Sequence, residues 1–369
     1  MAPGVSSADV AVVGGGVIGA ACARAASRAG LRVVLLEPGP APGAATPASA
    51  GMLAAQIDPG DDPGRALGVR GRALYTDLAP ALKDTTGIDI GLWLPGIVSV
   101  ALTDADAAAL RDDVARQRQA GLRADWLDPA DVRERWPGLS DECRGALYAP
   151  EDGALDPPAL TRALLADARR LGATIVTERV DQIVIAANRA TGVATHTTTW
   201  STGHTVIAAG AWSSPLAGMS PALPVEPVRG QLVASAWPAT APRGIFFHHH
   251  SYVLARGERA VVGSTMEHVG LDHRTTEEGV AQILTEARRL LPALDPLPVE
   301  RAWAGLRPVT PDGRPIVGPD PRLAGLWYAT GHGRSGILLA ALTGDVIADL
   351  LTTGSTTVDI ASWGPQRFG

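Results

Sequence analysis

A glycine-rich turn between two short apolar segments constrains this sequence more than any other feature. Gly14, Gly16 and Gly19 have the spacing G-x-G-x-x-G, after one apolar run and before an alanine-rich helical pattern, and the next apolar run ends in Glu37. In a β-α-β unit such glycines allow a tight turn, close approach of the backbone to a pyrophosphate, and packing of helix on strand. The helix N-terminus then faces the phosphates, and the acid accepts hydrogen bonds from a ribose. The sequence therefore predicts a Rossmann-like dinucleotide site.

Composition indicates a folded chain with two domains. The 369 residues are 46% hydrophobic and 19% charged, which suffices for a sizeable core. A net charge of −6 argues against nucleic acid or an anionic membrane as a partner. Cys22 and Cys143 lie far apart without a C-x-x-C motif, so we expect no disulfide and a reducing, cytoplasmic environment. We expect neither a signal peptide nor any window of transmembrane length.

Hydrophobic periodicity predicts an α/β fold. Helices are predicted at residues 17–29, 104–119, 128–136, 157–171, 277–291 and 337–351. Strands are predicted at 10–13, 31–36, 93–102, 174–176, 206–210 and 326–329, with β-rich stretches at 180–185 and 193–199 and an antiparallel sheet across 228–262. A strand, a glycine turn and an apolar helix like those of the first segment recur near the C-terminus. We therefore expect a discontinuous Rossmann-like domain with an inserted, mainly antiparallel β-sheet domain that carries helices. The expected boundaries are 9–88, 150–215 and 303–365 for the first domain, and 89–149 and 216–302 for the second.

Four further segments carry a family resemblance. Residues 206–212, VIAAGAW, resemble the second nucleotide-contacting strand and turn of FAD oxidoreductases with a glutathione-reductase-like fold. Residues 331–339, GHGRSGILL, resemble the last flavin-contacting turn of the D-amino-acid oxidase group, where a helix N-terminus would stabilise the anionic reduced flavin. Residues 46–54, TPASAGMLA, and 303–308, WAGLRP, are similar to the glycine oxidases of thiamine biosynthesis within that group.

The resemblance implies non-covalent FAD. No cysteine occurs at 305–318, where covalent relatives would attach the flavin. Besides Gly14, Gly16 and Gly19, the implied cofactor contacts are Val17, Ile18, Glu37, Pro38, Ala45, Thr46, Ala50, Gly51, Met52, Val180, Ala209, Gly210, Trp212, His332, Gly333, Arg334, Ser335, Gly336, Ile337 and Leu338. The sequence departs from the family at Gly333, where a bulkier residue is usual, and at Ser335, where an amide is common, so the site entrance is expected to be wider or more mobile.

The resemblance also implies substrate-binding and catalytic residues. Arg307 would hold the substrate carboxylate, Tyr252 would add a hydroxyl contact and Arg334 would close the site, with His250 and Met266 also lining it. An arginine fork suits a carboxylate, and a cation at a helix start, as at Arg334, is disfavoured without a functional reason. A loop-tying arginine at 307 and a core ring at 252 remain the alternative interpretations.

A run of three histidines, His248, His249 and His250, raises the question of a metal site. Because consecutive residues on a strand point to opposite faces, we expect that only His248 and His250 could share an ion. No carboxylate spacing nearby completes such a site. We therefore expect no metal, a surface His249, and His248 and His250 lining or supporting the pocket.

The resemblance implies FAD-dependent oxidative deamination of glycine, sarcosine, D-alanine or similar small amino acids. Hydride would pass from Cα to flavin N5, O₂ would be reduced to H₂O₂, and the imine would feed thiazole synthesis. The alternatives are a sarcosine oxidase, a quinone-linked D-amino-acid dehydrogenase, or a non-catalytic dinucleotide-binding redox sensor. We expect a homo-oligomer whose partners are the amino acid, O₂ and proteins of the thiazole synthase pathway.

Overall fold

The computed structural model describes residues 4–39, 43–58, 61–214, 216, 222–295 and 297–368. Its strands are β1 (Gly4–Val13), β2 (Val33–Leu36), β3 (Met52–Leu53), β4 (Ile97–Ala101), β5 (Asp125–Leu127), β6 (Gly145–Ala149), β7 (Gly153–Ala154), β8 (Thr174–Val176), β9 (Gln182–Ala186), β10 (Arg189–Ala194), β11 (Thr198–Ile207), β12 (Glu226–Ala236), β13 (Ile245–His248), β14 (Ser251–Arg256), β15 (Arg259–Gly263), β16 (Arg301–Val309), β17 (Ile316–Pro319) and β18 (Leu326–Thr330). Its helices are α1 (Val17–Arg28), α2 (Ala45–Ala48), α3 (Asp62–Thr86), α4 (Asp104–Gln119), α5 (Pro129–Arg135), α6 (Pro157–Arg170), α7 (Glu277–Leu290) and α8 (Gly336–Thr353).

The first sheet is built around β1. Its strand order is β17-β18-β11-β1-β2-β8, and β10 and β9 extend it from β11. β1 pairs in parallel with β2 and β11, which sets Val12 opposite both Leu35 and Val206. These residues are fully buried because α1, α6 and α8 cover the sheet, and parallel strands buried on both faces read as apolar runs. The predicted α/β class is confirmed.

The short strand predicted at 206–210 is the end of a longer one. β11 begins at Thr198 and pairs with β1 over nearly its whole length, from Gly4↔Thr198 to Val13↔Ile207. Its first half is partly exposed, and it contains Gly203. Only the second half has the apolar character of a buried parallel strand, so only that end was predicted as one.

The second sheet is mainly antiparallel, with the order β16-β12-β15-β14-β13-β4-β6-β5. The one parallel pair described in it joins β13 to β4. β16 pairs with β12 from Glu226↔Val309 to Ala234↔Arg301. Residues 301–309 therefore belong to this sheet, and we place the last crossing between the two sheets after Val309. The domain boundaries themselves stay predictions.

The long helix α3 was not predicted from the sequence. It contains Gly68, Gly71 and Pro80, which read as helix breakers. The glycines are there because α3 packs closely on α8: a Cβ on Gly71 would lie 2.6 Å from the carbonyl oxygen of Leu338. The side chain of Asp61 caps the helix by accepting from the Gly64 N–H at 2.7 Å.

Helix α8 is more apolar than we expected of any segment. The stretch Gly333–Thr353 is long and apolar enough to cross a membrane by length and composition, so the expectation that no window has this property is wrong. In the structure 61% of its most apolar window is buried inside the protein. Contacts with α1 and α3 account for this composition, as expected for a core helix.

Candidate active site

The turn between β1 and α1 requires glycine at two positions. Gly14 has φ +109°, and a Cβ there would lie 2.5 Å from the Ala208 carbonyl oxygen. A Cβ on Gly19 would lie 1.9 Å from the Gly14 carbonyl oxygen. Around Gly16, by contrast, a Cβ would approach only the Thr46 hydroxyl, at 3.4 Å. The turn is therefore tight where helix meets strand and open where a phosphate group would approach.

Glu37 lies beside this turn at the end of β2. Its carboxylate accepts a hydrogen bond from the Gly15 N–H at 2.6 Å. Burial raises the pKa of the carboxyl, while the N–H groups of Gly15 and Gly39 lower it in part. A half-buried carboxylate with acceptor capacity left over is suited to a ribose diol.

The segment from Gly43 to Ala48 is fixed against strand β16. The Leu306 N–H donates to the Gly43 carbonyl at 2.8 Å, and the Trp303 indole N–H donates to the Ala48 carbonyl at 2.9 Å. A Cβ on Gly305 would lie 2.5 Å from Ala48 Cβ, so only glycine permits this approach. The segment similar to a flavin-binding motif is thereby held next to the strand that carries Arg307.

Strand alternation places Trp303, Gly305, Arg307 and Val309 on one face of β16. Trp303 and Gly305 meet the α2 segment on this face, and Val309 Cγ2 lies 4.0 Å from the Cβ position of Gly333. Arg307 is therefore placed between the two segments that resemble flavin-contacting motifs.

The turn before α8 contains a buried histidine with an unused ring nitrogen. His332 Nε2 lies 2.9 Å from the Thr343 hydroxyl, while its Nδ1 is buried without a hydrogen-bond partner among the described residues. Burial lowers the pKa of His332 to about 3, so the ring is neutral. Ser335, at the start of α8, makes no side-chain cap.

Arg307 reaches into the space beside this face with its guanidinium. Nη1 donates to the Thr265 carbonyl at 3.0 Å and lies 3.4 Å from Met266 Sδ, while Nη2 donates to the Ser264 hydroxyl at 2.8 Å. Burial lowers the pKa of Arg307 and Arg334 lowers it further, while Tyr252, Asp58 and Glu267 raise it in part. Within the described part of the chain, no carboxylate forms an ion pair with Arg307.

Tyr252 lies on β14 with its ring buried. A Cβ on the neighbouring Gly263 would lie 2.8 Å from the Tyr252 hydroxyl, so glycine makes room for that group. Burial raises the pKa of Tyr252, whereas Arg307, Arg334 and a hydrogen bond with Ser264 lower it. The hydroxyl is therefore neutral and faces the two arginines.

Arg334 differs from Arg307 in having a carboxylate partner. Its Nε lies 2.8 Å from Asp58 Oδ2, and its Nη1 lies 3.3 Å from His250 Nδ1. The structure thus brings together all five residues predicted to bind substrate. They are Tyr252, Arg307, Arg334, His250 and Met266.

Comparison with known proteins identifies the family. A family model described as FAD dependent oxidoreductase matches residues 9–350. The chain belongs to the FAD dependent oxidoreductase family.

Relatives within this family narrow the type of enzyme. The glycine oxidase of Geobacillus kaustophilus is 35% identical over 366 residues, which cover 97% of each chain. The crystal structure of glycine oxidase from Geobacillus kaustophilus superposes with a TM-score of 0.91 at 34% identity, over 98% of this chain and 99% of that one. A bifunctional protein ThiO/ThiG of Trichormus variabilis is 34% identical over 98% of this chain, which spans 55% of that protein. The chain is an FAD-dependent oxidoreductase of the glycine-oxidase type.

The residues present in this oxidoreductase fit FAD. The open space at Gly16, the remaining acceptor capacity of Glu37 and the unpartnered Nδ1 of His332 all suit a bound dinucleotide. The individual contacts with FAD stay predictions. Their residues lie on the α1 turn (Gly14, Gly16, Val17, Ile18, Gly19), after β2 (Glu37, Pro38), along the α2 segment (Ala45, Thr46, Ala50, Gly51, Met52), before β9 (Val180), after β11 (Ala209, Gly210, Trp212) and before and within α8 (His332, Gly333, Arg334, Ser335, Gly336, Ile337, Leu338).

Two contributors to the oxidoreductase site were missed by sequence reasoning. Asp58 pairs with Arg334, and Ser264 contacts both Arg307 and Tyr252. Each acts through a residue distant in sequence, so no local motif points to it. Only the position of Ser264, two residues before the predicted site residue Met266, offered a signal.

The interpretation of the histidine run was wrong in its geometry. Among the described residues, one ligand atom each of Asp106, His248 and His249 lies within 4.8 Å of the other two. His249 is exposed, as expected, but its φ of +49° ends the strand alternation and brings its ring to that of His248. His250 turns away toward Arg334.

Proposed function

We propose that this protein oxidises glycine and other small amino acids, such as sarcosine and D-alanine, at the Cα–N bond. The observation that carries the proposal is Arg307, a partly buried guanidinium without a carboxylate partner among the described residues. A buried cation is costly to leave unpaired, so such a group is prepared for an anionic ligand. The carboxylate of an amino acid matches the planar arginine fork.

The neighbouring groups support a carboxylate in this place. The protein partners of Arg307 are a carbonyl, a hydroxyl and a thioether, which fix the guanidinium without neutralising it. The Tyr252 hydroxyl faces the same arginine and adds a neutral donor for a carboxylate oxygen. The charge of Arg334, in contrast, is compensated by Asp58. We therefore assign substrate binding to Arg307 and closure of the pocket to Arg334.

Bound FAD would supply the acceptor for the hydride that leaves Cα. Arg307 and Tyr252 hold the carboxylate, so that the Cα–H bond keeps one orientation toward the cofactor. The substrate amine binds neutral and loses one proton to water as the C=N bond forms, so no protein base is required. The imine then adds water and releases ammonia, or methylamine when sarcosine is the substrate, to give a 2-oxo acid, which is glyoxylate from glycine and from sarcosine. Return of the two electrons and two protons to O₂ gives H₂O₂.

We further propose that the imine serves thiazole synthesis for thiamine. The relative named ThiO/ThiG joins a similar chain to a second protein, which supports a partnership with a thiazole synthase. A cytoplasmic location and a homo-oligomeric state stay predictions. A quinone-linked dehydrogenase, a sarcosine oxidase and a non-catalytic redox sensor are the alternatives to be tested.

Anaerobic reduction of the bound flavin separates these functions. The purified holoprotein is mixed with glycine, sarcosine, D-alanine, L-alanine and methylamine, and bleaching of the flavin spectrum is followed. We expect reduction by the first three and none by methylamine, which lacks a carboxylate. Air should then reoxidise the flavin with formation of H₂O₂, whereas a quinone-linked enzyme would reoxidise rapidly only with a quinone. If no amine reduces the flavin, the non-catalytic redox sensor would be the remaining alternative.

Substitution of Arg307 tests the observation on which the proposed function rests. Arg307→Ala should weaken amino-acid binding roughly 30-fold to several-thousand-fold, as expected for loss of one side of a buried charge pair. Arg307→Lys should fall between this variant and the wild type, because a lysine lacks the fork. FAD content should stay normal in both. If flavin reduction in Arg307→Ala depends on amino-acid concentration as it does in the wild type, Arg307 has only a structural role.

A further inference from the structure

The turn between β13 and β14 sets two adjacent histidines side by side. The ring centroids of His248 and His249 are 4.2 Å apart. The arrangement depends on the left-handed conformation of His249, at φ +49°, which a residue other than glycine adopts uncommonly. An unfavourable backbone conformation of this kind is retained when surrounding contacts require it, and such positions cluster at functional sites.

His248 is oriented as a metal ligand would be. The residue is buried, and its Nδ1 lies 3.1 Å from the carbonyl oxygen of Val100. Since a carbonyl only accepts hydrogen bonds, Nδ1 carries the proton and Nε2 keeps its lone pair. Histidine ligands of metal ions typically donate their second ring nitrogen to a backbone carbonyl in this way.

A carboxylate completes the group. Asp106, in the first turn of α4, lies with Oδ1 3.2 Å from His249 Nε2. Its Oδ2 accepts from the backbone N–H groups of Thr103 and Leu102, so the helix cap orients the side chain and leaves Oδ1 toward the histidines. Asp106 is largely buried, with 13% of its side chain exposed, whereas His249 is 66% exposed.

We propose that Asp106, His248 and His249 bind a divalent transition-metal ion that ties the N-terminus of α4 to the β13–β14 turn. Two imidazoles and one carboxylate suit Zn²⁺ and similar ions, and water would fill the fourth position. Ligand atoms around a tetrahedral Zn²⁺ lie roughly 3.3 Å apart. The Asp106–His249 distance of 3.2 Å already matches, and the other separations in the group are at most 4.8 Å, so a shift of no more than about 1.5 Å brings the three ligand atoms to zinc spacing.

The competing interpretation is an ion pair between Asp106 and His249 without metal. It explains the contact between these two residues, but not why the His248 ring lies beside them with a nitrogen that has no hydrogen-bond partner in the described part of the chain. A nearby cation, Arg289, is held by Glu142 at 2.7 Å. Its charge is thereby compensated by Glu142, so Arg289 is not the counter-ion of Asp106.

Metal content measured by equilibrium dialysis tests the proposal. The holoprotein, purified without a histidine tag and stripped with chelator, is dialysed against ZnCl₂ at increasing concentration, and bound zinc is counted by mass spectrometry. We expect one saturable equivalent in the wild type. His249→Ala and Asp106→Asn should each weaken binding by at least about 100-fold, since loss of even an outer-shell partner costs about 10–100-fold. Asn keeps a side-chain oxygen for the helix cap, so Asp106→Asn is expected to stay folded.

A matched control is His268→Ala, which removes another exposed histidine that contacts a carboxylate, Glu226, at 3.0 Å but has no third ligand beside it among the residues that the structure describes. This variant should keep the full zinc equivalent. Zinc should also raise the melting temperature of the wild type and of His268→Ala, and leave those of His249→Ala and Asp106→Asn unchanged. Equal zinc binding by the wild type and His249→Ala would overturn the proposal. Since neither measurement uses turnover, the result is independent of the proposed oxidase activity.

Discussion

The guanidinium of Arg307 lies directly over Gly230, so closely that a Cβ on Gly230 would come within 2.1 Å of Nη1. Gly230 faces Gly305 across the pairing of β12 with β16. Gly230 thus leaves the space that the guanidinium occupies, while Gly305 admits Ala48 of the α2 segment. Two small residues on neighbouring strands therefore fix the position of Arg307, which we propose binds the substrate, and that of the segment next to it.

Gly230→Ala is therefore expected to damage substrate binding more than folding. The added methyl meets the far end of a flexible side chain, which moves at little cost to the fold but loses its place under the substrate carboxylate. We expect the amino-acid concentration for half-maximal flavin reduction to rise about tenfold, which corresponds to about 1.4 kcal/mol. FAD content should stay normal. In the control Gly203→Ala, also in a strand, the nearest atom is 3.5 Å away, and wild-type values are expected. Unchanged substrate affinity in Gly230→Ala would contradict this account of the Arg307 position.

Tyr252→Phe is expected to cause a smaller loss than Arg307→Ala. The substitution removes a neutral hydroxyl that contacts Ser264 and faces the arginines, while the buried ring and its packing on Phe247 remain. Loss of one hydrogen bond corresponds to about 2–10-fold in apparent substrate affinity. Tyr148→Phe is the matched control, because it removes a hydroxyl that donates to the Pro95 carbonyl at 2.9 Å in another part of the sheet. Similar kinetic changes in both variants would indicate a general effect on stability instead.

Binding of FAD is expected to weaken as the pH falls, through Glu37. Burial raises the pKa of this carboxyl above its ordinary value of 4.5, so Glu37 takes up a proton at a higher pH than a free side chain. The protonated group is a poorer acceptor for a ribose diol, and FAD affinity is complete only above that raised pKa. Glu37→Gln should bind FAD about 10–100-fold more weakly at neutral pH and lack this acid dependence. Fluorescence titration of the apoprotein with FAD at several pH values measures both effects. Parallel pH profiles for wild type and Glu37→Gln would exclude Glu37 as the group responsible.

Sequence reasoning succeeded where function depends on contiguous residues. The glycine turn before α1 is a local pattern with a direct structural meaning. Sequence reasoning did not predict strand β16, which carries Arg307. It also failed for helix α3, since Gly71 is explained only by the close contact with Leu338, far along the chain. Local propensity gave no indication of that contact.

The histidine run shows the same limit at the scale of one residue. Strand alternation predicted that His248 and His250 would share a face, but the strand ends at His248 and the left-handed His249 reverses the expectation. Where a strand ends within a polar run cannot be read from periodicity, because the run offers no apolar residues to count. The contribution of Asp106 comes from α4, more than a hundred residues earlier.

The ion pair between Asp58 and Arg334 should control how strongly the pocket binds a ligand that carries a second negative charge. Arg307 and Arg334 both act on Tyr252, and Asp58 forms its ion pair with Arg334 while it acts on Arg307 only at longer range. In Asp58→Asn the pocket keeps the same shape, but the charge of Arg334 is no longer compensated by a carboxylate. We therefore expect dianionic ligands to bind better relative to monoanionic ones, by about 2–5-fold, as for a partly exposed charge pair.

Competition by acetate and malonate against glycine measures this effect without requiring turnover of either acid, since malonate adds one carboxylate to acetate. The ratio of the two inhibition constants should shift toward malonate in Asp58→Asn. Glu300→Gln is the control, because it disrupts another carboxylate pair with an arginine Nε, that of Arg259 at 2.9 Å, at the end of β16 remote from Arg307. High salt should reduce the shift, since exposed charges are screened. An unchanged ratio in Asp58→Asn would mean that Arg334 does not face the bound ligand, and its role would then be limited to contacts with His250 and the cofactor.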